Sequence, residues 1–271
     1  MKKKKKPQLL WQIKSPTAPG ASFLFGTMHV RDLRAFDYQE LVCEKIDTCV
    51  AFATEINLNE ASLVLGDQSM DLPDGKSLDQ LFPPKKFKKI ARFFYQTTGF
   101  PIDPFVNSHP MMLVNILTSS ILSQDRPVSL DEFLWKYAER QDKLLLGIER
   151  VAEQLEIMAS IPLEFHLRSL WLMAKNVSRF RKSLLKMATM YQSGDLSRIL
   201  KSAKKSSGGM RKLLLYDRNL LMAERITGLV TEQPTFCAIG AGHLGGKRGV
   251  LKLLKDEGFK LSNVRVGPRI S

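Results

Sequence analysis

The sequence predicts an α/β protein in which a central β-sheet, built from N- and C-terminal segments, carries a large and mostly helical insertion. Segments rich in β-branched and small apolar residues gather near the two ends of the chain, whereas residues 61–230 show mainly helical spacing. A sheet assembled from both ends accounts for that arrangement. We therefore expect one domain over residues 8–271, with residues 8–60 and 231–271 as the sheet core and residues 1–7 as a basic tail.

The N-terminal part predicts a hairpin, a helix and a buried strand. Short apolar segments at residues 9–13 and 22–25 flank a stretch that contains Pro16, Pro19 and Gly20, as in a β-hairpin. Residues 37–46 have helical spacing. Residues 48–56 follow as an apolar, β-branched strand that carries no charge until Glu55.

The insertion predicts several short helices over residues 60–142, because prolines and glycines interrupt the helical pattern repeatedly. Pro162 opens one long helix whose apolar stripe runs to Tyr191 with a single break at Arg181. The remaining expected elements are a strand at 144–148, a helix at 150–160, a loop at 206–209, a helix at 210–229, a strand at 235–239, a helix at 246–255 and a strand at 259–264.

Composition excludes several classes of protein. With 44% hydrophobic and 25% charged residues, the chain is typical of folded globular proteins. No apolar run approaches the roughly 20 residues of a membrane-spanning helix, and no apolar signal segment follows the N-terminal lysines. The sequence thus predicts a cytoplasmic protein, or an exported one if the native chain carries a leader. The three cysteines predict reduced thiols rather than a disulfide framework.

The positive charge is regional. The formal net charge is +14, and residues 164–218 hold 13 basic and 3 acidic side chains. These cations fit the solvated faces of amphipathic helices, and they equally fit a surface that attracts an anionic partner. Aromatic residues are sparse among them, which disfavours single-stranded nucleic acid as that partner.

Two of the four histidines stand in the same local pattern. Gly26 lies three residues before His29, and Gly240 lies three residues before His243. Each G-x-x-H follows an expected strand. Gly242 lies within the second pattern. Glycine lets a strand stop abruptly, which presents the imidazole at the carboxyl end of the strand, where open α/β sheets bind ligands.

If those strands are neighbours, the two imidazoles converge and Glu55 can join them. Two imidazoles and a carboxylate suit a hydrolytic divalent metal. A histidine at a strand end can instead be a hydrogen-bonded structural residue, and the pattern alone leaves both interpretations open. The HExxH and C-x-x-C zinc signatures and the phosphate-binding loop are absent from the sequence.

The chain resembles the TraB, PrgY and GumN family, whose animal relatives are the TIKI metalloproteases. The resemblance covers about 250 residues and rests on motifs in a fixed order: LWQI at 10–13, FLFGTMHV at 23–30, Glu55, LPDGKSL at 72–78, GIE at 147–149, EQL at 153–155, YQSGD at 191–195, DRN at 217–219, AIGAGHL at 238–244 and GV at 249–250. Asn57 departs from the family pattern, since many relatives carry a carboxylate there.

The resemblance implies a metal-dependent hydrolase, in first place a peptidase that uses manganese or cobalt rather than zinc and acts on peptides or proteins. It implies that His29, His243 and Glu55 form the metal and catalytic centre, with Glu55 as ligand or general base. It also implies that Arg218 and Asn219 face the same pocket, and Glu149 matches a family position there. A protein that sequesters a peptide without cleaving it, and a related esterase, are the alternatives.

Overall fold

A mixed β-sheet of six strands forms the centre of the part of the chain that the computed structural model describes, residues 9–15, 20–66 and 71–264. The strand order is β4-β3-β5-β2-β1-β6. The strands are β1 (Leu10–Lys14), β2 (Ser22–Thr27), β3 (Ala51–Ile56), β4 (Leu144–Glu149), β5 (Thr235–Gly240) and β6 (Lys260–Asn263). The expected fold class is confirmed: strands from both ends of the chain form the sheet, and helices surround it.

The four strands from β4 to β2 run parallel, and β1 is antiparallel to both of its neighbours. Strand β5 occupies the middle of the sheet, between β3 and β2, and Phe236 on β5 stacks on Phe23 and Phe52 of those neighbours. All six residues of β2 are buried, as expected of a strand covered on both faces. Because these strands are parallel, their carboxyl ends meet at one edge of the sheet.

The expected N-terminal hairpin is confirmed by the pairing of β1 with β2, in which Leu10 opposes Phe25 and Ile13 opposes Ser22. Residues 16–19 between the two strands lie outside the described residues, as do the lysines at 2–6. Leu10 and Ile13 of β1 are both buried, and because they are three residues apart they lie on opposite faces of the sheet.

Most α-helices of the described chain come between β3 and β5 in the sequence. They are α1 (Gln39–Asp47), α2 (Leu58–Gly66), α3 (Leu78–Leu81), α4 (Pro84–Thr98), α5 (Pro110–Ile121), α6 (Leu130–Arg140), α7 (Val151–Ala159), α8 (Leu163–Lys175), α9 (Val177–Gln192), α10 (Leu196–Ser206), α11 (Arg218–Glu232), α12 (Ala241–Leu244) and α13 (Val250–Asp256).

Two large apolar clusters hold most of these helices. One surrounds the sheet and includes residues of α1, α6, α11 and α13. The other joins α3, α4, α5 and α8 around Phe93, Phe94 and Leu170, away from the sheet. Helix α4 begins at Pro84, and Gly99 caps its C-terminus with a φ of 84°, which reverses the chain without a side-chain clash.

The expected long helix from Pro162 to Tyr191 is two helices, since Asn176 breaks it with φ −141° and ψ 65°. Leu170 and Ala174 of α8 belong to the second cluster. Leu184 and Ala188 of α9 instead pack with Leu122, close to the sheet. The apolar stripe continues through the break because both helices bury one face, but the two faces pack on different partners.

Two expectations from composition are consistent with the structure. Among the described residues no helix is both long and apolar enough to cross a bilayer. Cys43, Cys49 and Cys237 are free thiols, and burial raises the pKa of Cys49 to about 11.

Candidate active site

The carboxyl ends of the four parallel strands present the expected functional residues in spatial order. Glu149 ends β4, Glu55 lies at the end of β3, His243 follows β5 and His29 follows β2. Ile56 pairs with Glu149, and Thr27 pairs with Gly240, so the strand ends are level with each other. Residues separated by more than 200 positions in the sequence therefore share one edge of the sheet.

Glu55 is held on both of its carboxylate oxygens. Its Oε1 accepts a hydrogen bond of 2.6 Å from the backbone N–H of Gly240, and its Oε2 accepts one of 2.7 Å from Arg218. A Cβ atom at position 240 would lie 2.9 Å from Oε1 and 3.6 Å from the ring of His243. Glycine at this position thus lets the carboxylate, the strand end and the imidazole approach each other closely.

The charge state of Glu55 follows from these contacts. Burial by itself favours the neutral acid, but the adjacent His243 ring, the guanidinium of Arg218 and the N–H of Gly240 hold the pKa of Glu55 below its ordinary value. The carboxylate is therefore ionised at neutral pH.

Arg218 joins Glu55 to Glu149. Its Nε donates a hydrogen bond of 2.8 Å to Glu149, and its Nη2 donates to both carboxylates. Arg218 is the first residue of α11 and directly follows one turn of π-helix, Lys212–Asp217; such turns are frequent at functional sites. Burial opposes its charge, yet the two carboxylates raise the pKa of Arg218 above its ordinary value.

Glu149 lies beneath this arginine rather than in an open pocket. Its side chain is fully buried, and it also accepts a hydrogen bond of 2.9 Å from Gln154. A buried carboxylate with a bidentate arginine partner is compensated in charge and hydrogen bonding. The contacts of Glu149 are thus those of a residue that holds Arg218.

His243 has its Nδ1 fixed by Asn219. The distance from Nδ1 to Oδ1 of Asn219 is 2.6 Å, and Nδ2 of Asn219 donates to the carbonyl of Arg248 at 2.6 Å. The carbonyl fixes which end of the amide faces the imidazole, so Nδ1 is the protonated nitrogen and Nε2 carries the lone pair. Burial lowers the pKa of His243 below its ordinary value, which keeps the ring neutral.

His29 is far more accessible, with 76% of its side chain exposed. Its Nδ1 lies 3.5 Å from Oδ2 of Asp131 and 3.5 Å from the hydroxyl of Ser129. Thr27 donates a hydrogen bond of 2.6 Å to the other oxygen of Asp131 and so fixes that carboxylate. Asp131 raises the pKa of His29 above its ordinary value.

The two G-x-x-H histidines therefore share one arrangement. In each, Nδ1 faces an oxygen atom from a helix outside the motif, Asn219 on α11 for His243 and Asp131 on α6 for His29. A partner at one ring nitrogen leaves the other nitrogen of the ring available, as in histidines that bind metals.

A cleft of about 290 Å³ opens beside His243. The ends of β2 and β5 form its floor, and Tyr191 of α9 with Ala203 and Ser206 of α10 forms its wall. The hydroxyl of Tyr191 donates a hydrogen bond of 2.7 Å to the carbonyl of Gly26, which ties α9 to β2.

The motif glycines Gly26 and Gly242 are packing positions. A Cβ atom on Gly26 would lie 2.5 Å from Leu244, and one on Gly242 would lie 3.1 Å from Cβ of Ala203. Helix α12 thus packs closely on β2 and α10, and this packing positions His243.

The donors suit a divalent metal, but they do not form a closed set of ligands. Among the residues that the structure describes, no group of three His, Cys, Asp or Glu side chains is arranged to hold a metal ion. His29, Glu55 and His243 share one edge of the sheet, yet both oxygens of Glu55 are engaged by Gly240 and Arg218. Binding would require His29, the most exposed of the three, to turn toward the others.

The other two histidines lie in the second cluster of helices. His109 is the N-cap of α5, where Nδ1 accepts a hydrogen bond from the N–H of Met111. Its ring centroid is 4.7 Å from that of His166 on α8. Because they lie away from the sheet, a substitution of either histidine can serve as a control for substitutions of the two motif histidines.

Sequence reasoning missed Asp131 and its neighbours Thr27 and Ser129. The available signal was local, since Ser129 and Glu132 have the spacing of a helix N-terminus and Ser129 does accept from the N–H of Glu132.

Asn57, which departs from the family pattern, has a structural contact. Its side chain accepts hydrogen bonds from the N–H groups of Asn59 and Glu60 and so caps α2.

Comparison with known proteins identifies the family of this chain. The profile of the TraB/PrgY/gumN family matches residues 9–263, so the chain belongs to that family. It is 27% identical to "Metalloprotease TIKI2" of Danio rerio, over 94% of this chain and 60% of that protein. It is 25% identical to "Metalloprotease TIKI1" of Homo sapiens, over 95% of this chain and 62% of that protein.

A third relative, "Metalloprotease TIKI homolog" of Nematostella vectensis, is 26% identical over 94% of this chain. The chain spans about three-fifths of the length of the first two curated relatives that it matches. No solved structure matches it.

Proposed function

We propose that this protein is a metal-dependent hydrolase, a metallopeptidase that acts on peptides or proteins at the carboxyl edge of its sheet. The observation that carries the proposal is the shared arrangement of His29 and His243, each with Nδ1 facing an oxygen of a helix outside its own motif. Membership of a family whose relatives are named metalloproteases supports the same reaction class.

His29 and His243 are the residues that would hold the ion, in this proposal manganese or cobalt. When bound, such an ion would polarise a carbonyl and lower the pKa of a water molecule, so that hydroxide is available as the nucleophile. The low pKa of His243 keeps that imidazole neutral, as a ligand must be. Asn219 and Asp131 orient the two rings.

Glu55 acts as an ionised carboxylate in this proposal. A general base works best with a pKa near the working pH, whereas the pKa of Glu55 is held low. We therefore assign it as a third ligand or fixed negative charge rather than as the base.

Arg218 and Glu149 are positioning residues in this account. The described contacts of Arg218 engage both carboxylates, and they hold Glu55 against the end of β5. Arg218 and Glu149 would therefore affect the reaction only through the position of Glu55. Peptide substrate would enter through the cleft beside His243.

The test is cleavage of a diverse peptide mixture, read by mass spectrometry, with chelator-stripped protein and added manganese, cobalt or zinc. The proposal predicts cleavage that returns with metal and is lost in Glu55→Ala. His109→Asn, which removes an imidazole remote from the sheet but keeps a capping side chain, should cleave like the wild type.

Peptide binding without cleavage under any of these conditions would contradict the proposal and favour a sequestering protein. Hydrolysis of esters alone would favour an esterase.

A further inference from the structure

A second groove, strongly cationic, lies on the other side of α10 from the cleft. It has a volume of about 510 Å³ and is lined by Ser197, Leu200, Lys201, Lys204, Lys205 and Arg211. Four of its six lining residues carry a positive charge. We call it the α10 groove.

The cations of the α10 groove lack acidic partners. Within the described residues, none of the four has a carboxylate oxygen within 4.0 Å, whereas the nearby Arg198 and Lys212 are paired with Asp195 and Asp217. Arg211 donates instead to the carbonyl of Lys204, which draws it to the same wall. Clustered like charges repel each other and are stabilised by an anion that binds between them.

The α10 groove is connected to the candidate active site through two contacts. Ala203 of the cleft wall packs on Gly242, and the adjacent Lys204 lines the α10 groove. The charged groups of Lys204 and Arg248 lie 5.9 Å and 5.0 Å from the ring centroid of Tyr216.

The carbonyl of that same Arg248 accepts the hydrogen bond of Asn219 that fixes His243. The positive groove therefore starts one residue along α10 from the wall of the cleft.

The surroundings favour an acidic peptide over a nucleic acid or a lipid surface. Tyr216, the aromatic ring next to the groove, contacts two cations, whereas single-stranded nucleic acids are usually bound by aromatic rings on which bases stack. The lining is concave and also contains Leu200 and Ser197, which suits a single extended chain.

We propose that the α10 groove binds an acidic segment of the peptide substrate, so that peptides with Asp or Glu residues beside the cleaved bond are selected. This inference rests on the proposed peptidase function and adds a substrate class to it. The two can nevertheless fail separately, because acidic peptides can be tested for binding as well as for cleavage.

The experiment compares two fluorescent peptides that span a bond cleaved in the mixture. They are identical except that one carries three Glu residues and the other three Gln residues on one side of that bond. Binding is followed by fluorescence anisotropy with chelator, and kcat/KM is measured with metal. The variant is Lys201→Gln/Lys205→Gln/Arg211→Gln. The matched control is Lys85→Gln/Lys88→Gln/Arg92→Gln, which removes three cations from a similar groove on α4.

We expect the Glu peptide to be preferred by about tenfold or more in affinity and in kcat/KM, with the preference shrinking as salt rises. The groove variant should lose the preference and the α4 variant should keep it. The inference would be overturned if the wild type bound and cleaved the two peptides equally, or if both variants lost the preference equally. Tighter binding of a single-stranded oligonucleotide to the same lysines would also overturn it.

The outcomes separate the two proposals. Cleavage without acidic preference would leave the peptidase standing and remove the role of the α10 groove. If the mixture yields no cleaved product, the two peptides are taken from an arbitrary sequence. Acid-selective binding that depends on the groove, with no cleavage by any metal form, would contradict the peptidase and retain the groove as a peptide-binding surface.

Discussion

The backbone N–H of Gly240 donates a hydrogen bond of 2.6 Å to Oε1 of Glu55. The last residue of the central strand thus fixes the carboxylate at the end of the neighbouring strand. Backbone N–H groups are rigid donors, so this contact holds Glu55 more firmly than a flexible side chain could. It also explains why a glycine stands three residues before His243, since the Cβ of any other residue would lie only 2.9 Å from Oε1 of Glu55.

Gly240→Ala should therefore impair activity more than stability. The backbone at Gly240 has φ −54° and ψ 131°, which alanine tolerates, but the added Cβ would lie 2.9 Å from Oε1 of Glu55. We expect a loss of at least about tenfold in kcat/KM, because displacement of a catalytic group by an ångström is costly. Peptidase assays and thermal unfolding measure the two effects.

Gly228→Ala is the matched control for that substitution. Gly228 lies within α11, and no heavy atom would meet its Cβ within 4 Å. Alanine should raise stability by about 0.5 to 1 kcal/mol there with unchanged activity. Unimpaired activity in Gly240→Ala would contradict the role given to the close approach of Glu55.

Asn219→Ala should weaken metal binding without touching a ligand. Loss of Oδ1 removes the partner that fixes the proton on Nδ1 of His243. Removal of such outer partners commonly lowers metal affinity by about 10- to 100-fold, and isothermal titration calorimetry with manganese measures it. Asn219→Asp keeps an acceptor at that position and should lose less. Equal affinity in Asn219→Ala and the wild type would refute this role.

Arg218→Met should destabilise the fold by about 3 to 5 kcal/mol, because it leaves the buried carboxylate of Glu149 without its cation. The double variant Arg218→Met/Glu149→Gln removes that charge and should recover part of the loss. Urea unfolding of the single and double variants measures the difference. If the double variant were no more stable than Arg218→Met, the compensation of Glu149 by Arg218 would not be the main effect.

The pair of Glu153 and Arg225 should make stability depend on pH. Two hydrogen bonds of 2.7 Å join the side chains, and Arg225 lowers the pKa of Glu153 to about 2 from an ordinary value of 4.5. A depressed pKa in the folded state stabilises the protein above the unfolded pKa, and this contribution is lost as pH falls through the folded pKa.

Glu153→Gln should then cost about 1 to 2 kcal/mol at neutral pH, and the cost should shrink as the pH falls from 4.5 toward 2. Urea unfolding across that range provides the measurement. Asp256→Asn, in an exposed pair with Lys252, serves as the control and should cost about 0.5 kcal/mol or less. A cost for Glu153→Gln that does not vary with pH would show that the charge is not its source.

The sequence predicted the parts of the site that depend on strand ends. Each G-x-x-H follows a strand, and parallel pairing brings the two ends together, so the common location of His29, Glu55 and His243 followed from local pattern and one topological assumption. Asp131 could not be found in this way. It reaches His29 from a helix about 100 residues away, and its approach depends on how α6 packs on the sheet, which no local pattern specifies.

The predicted long helix is another case in which the local sequence pattern did not specify the packing. Its apolar stripe was identified correctly, but the stripe does not reveal that Leu170 and Ala188 belong to different clusters. Asn176 breaks the helix where the two packing partners change, and only the tertiary arrangement fixes that point. The burial of Glu149 under Arg218 is likewise a property of packing between β4 and α11.

The most direct test of the central claim is the manganese affinity of His29→Ala and His243→Ala, measured with the wild type and His109→Asn by isothermal titration calorimetry. If both histidines hold one ion, each single variant loses stoichiometric binding while circular dichroism shows an intact fold, and His109→Asn binds like the wild type. Full manganese affinity in either His29→Ala or His243→Ala would contradict a shared metal centre at the carboxyl edge of the sheet.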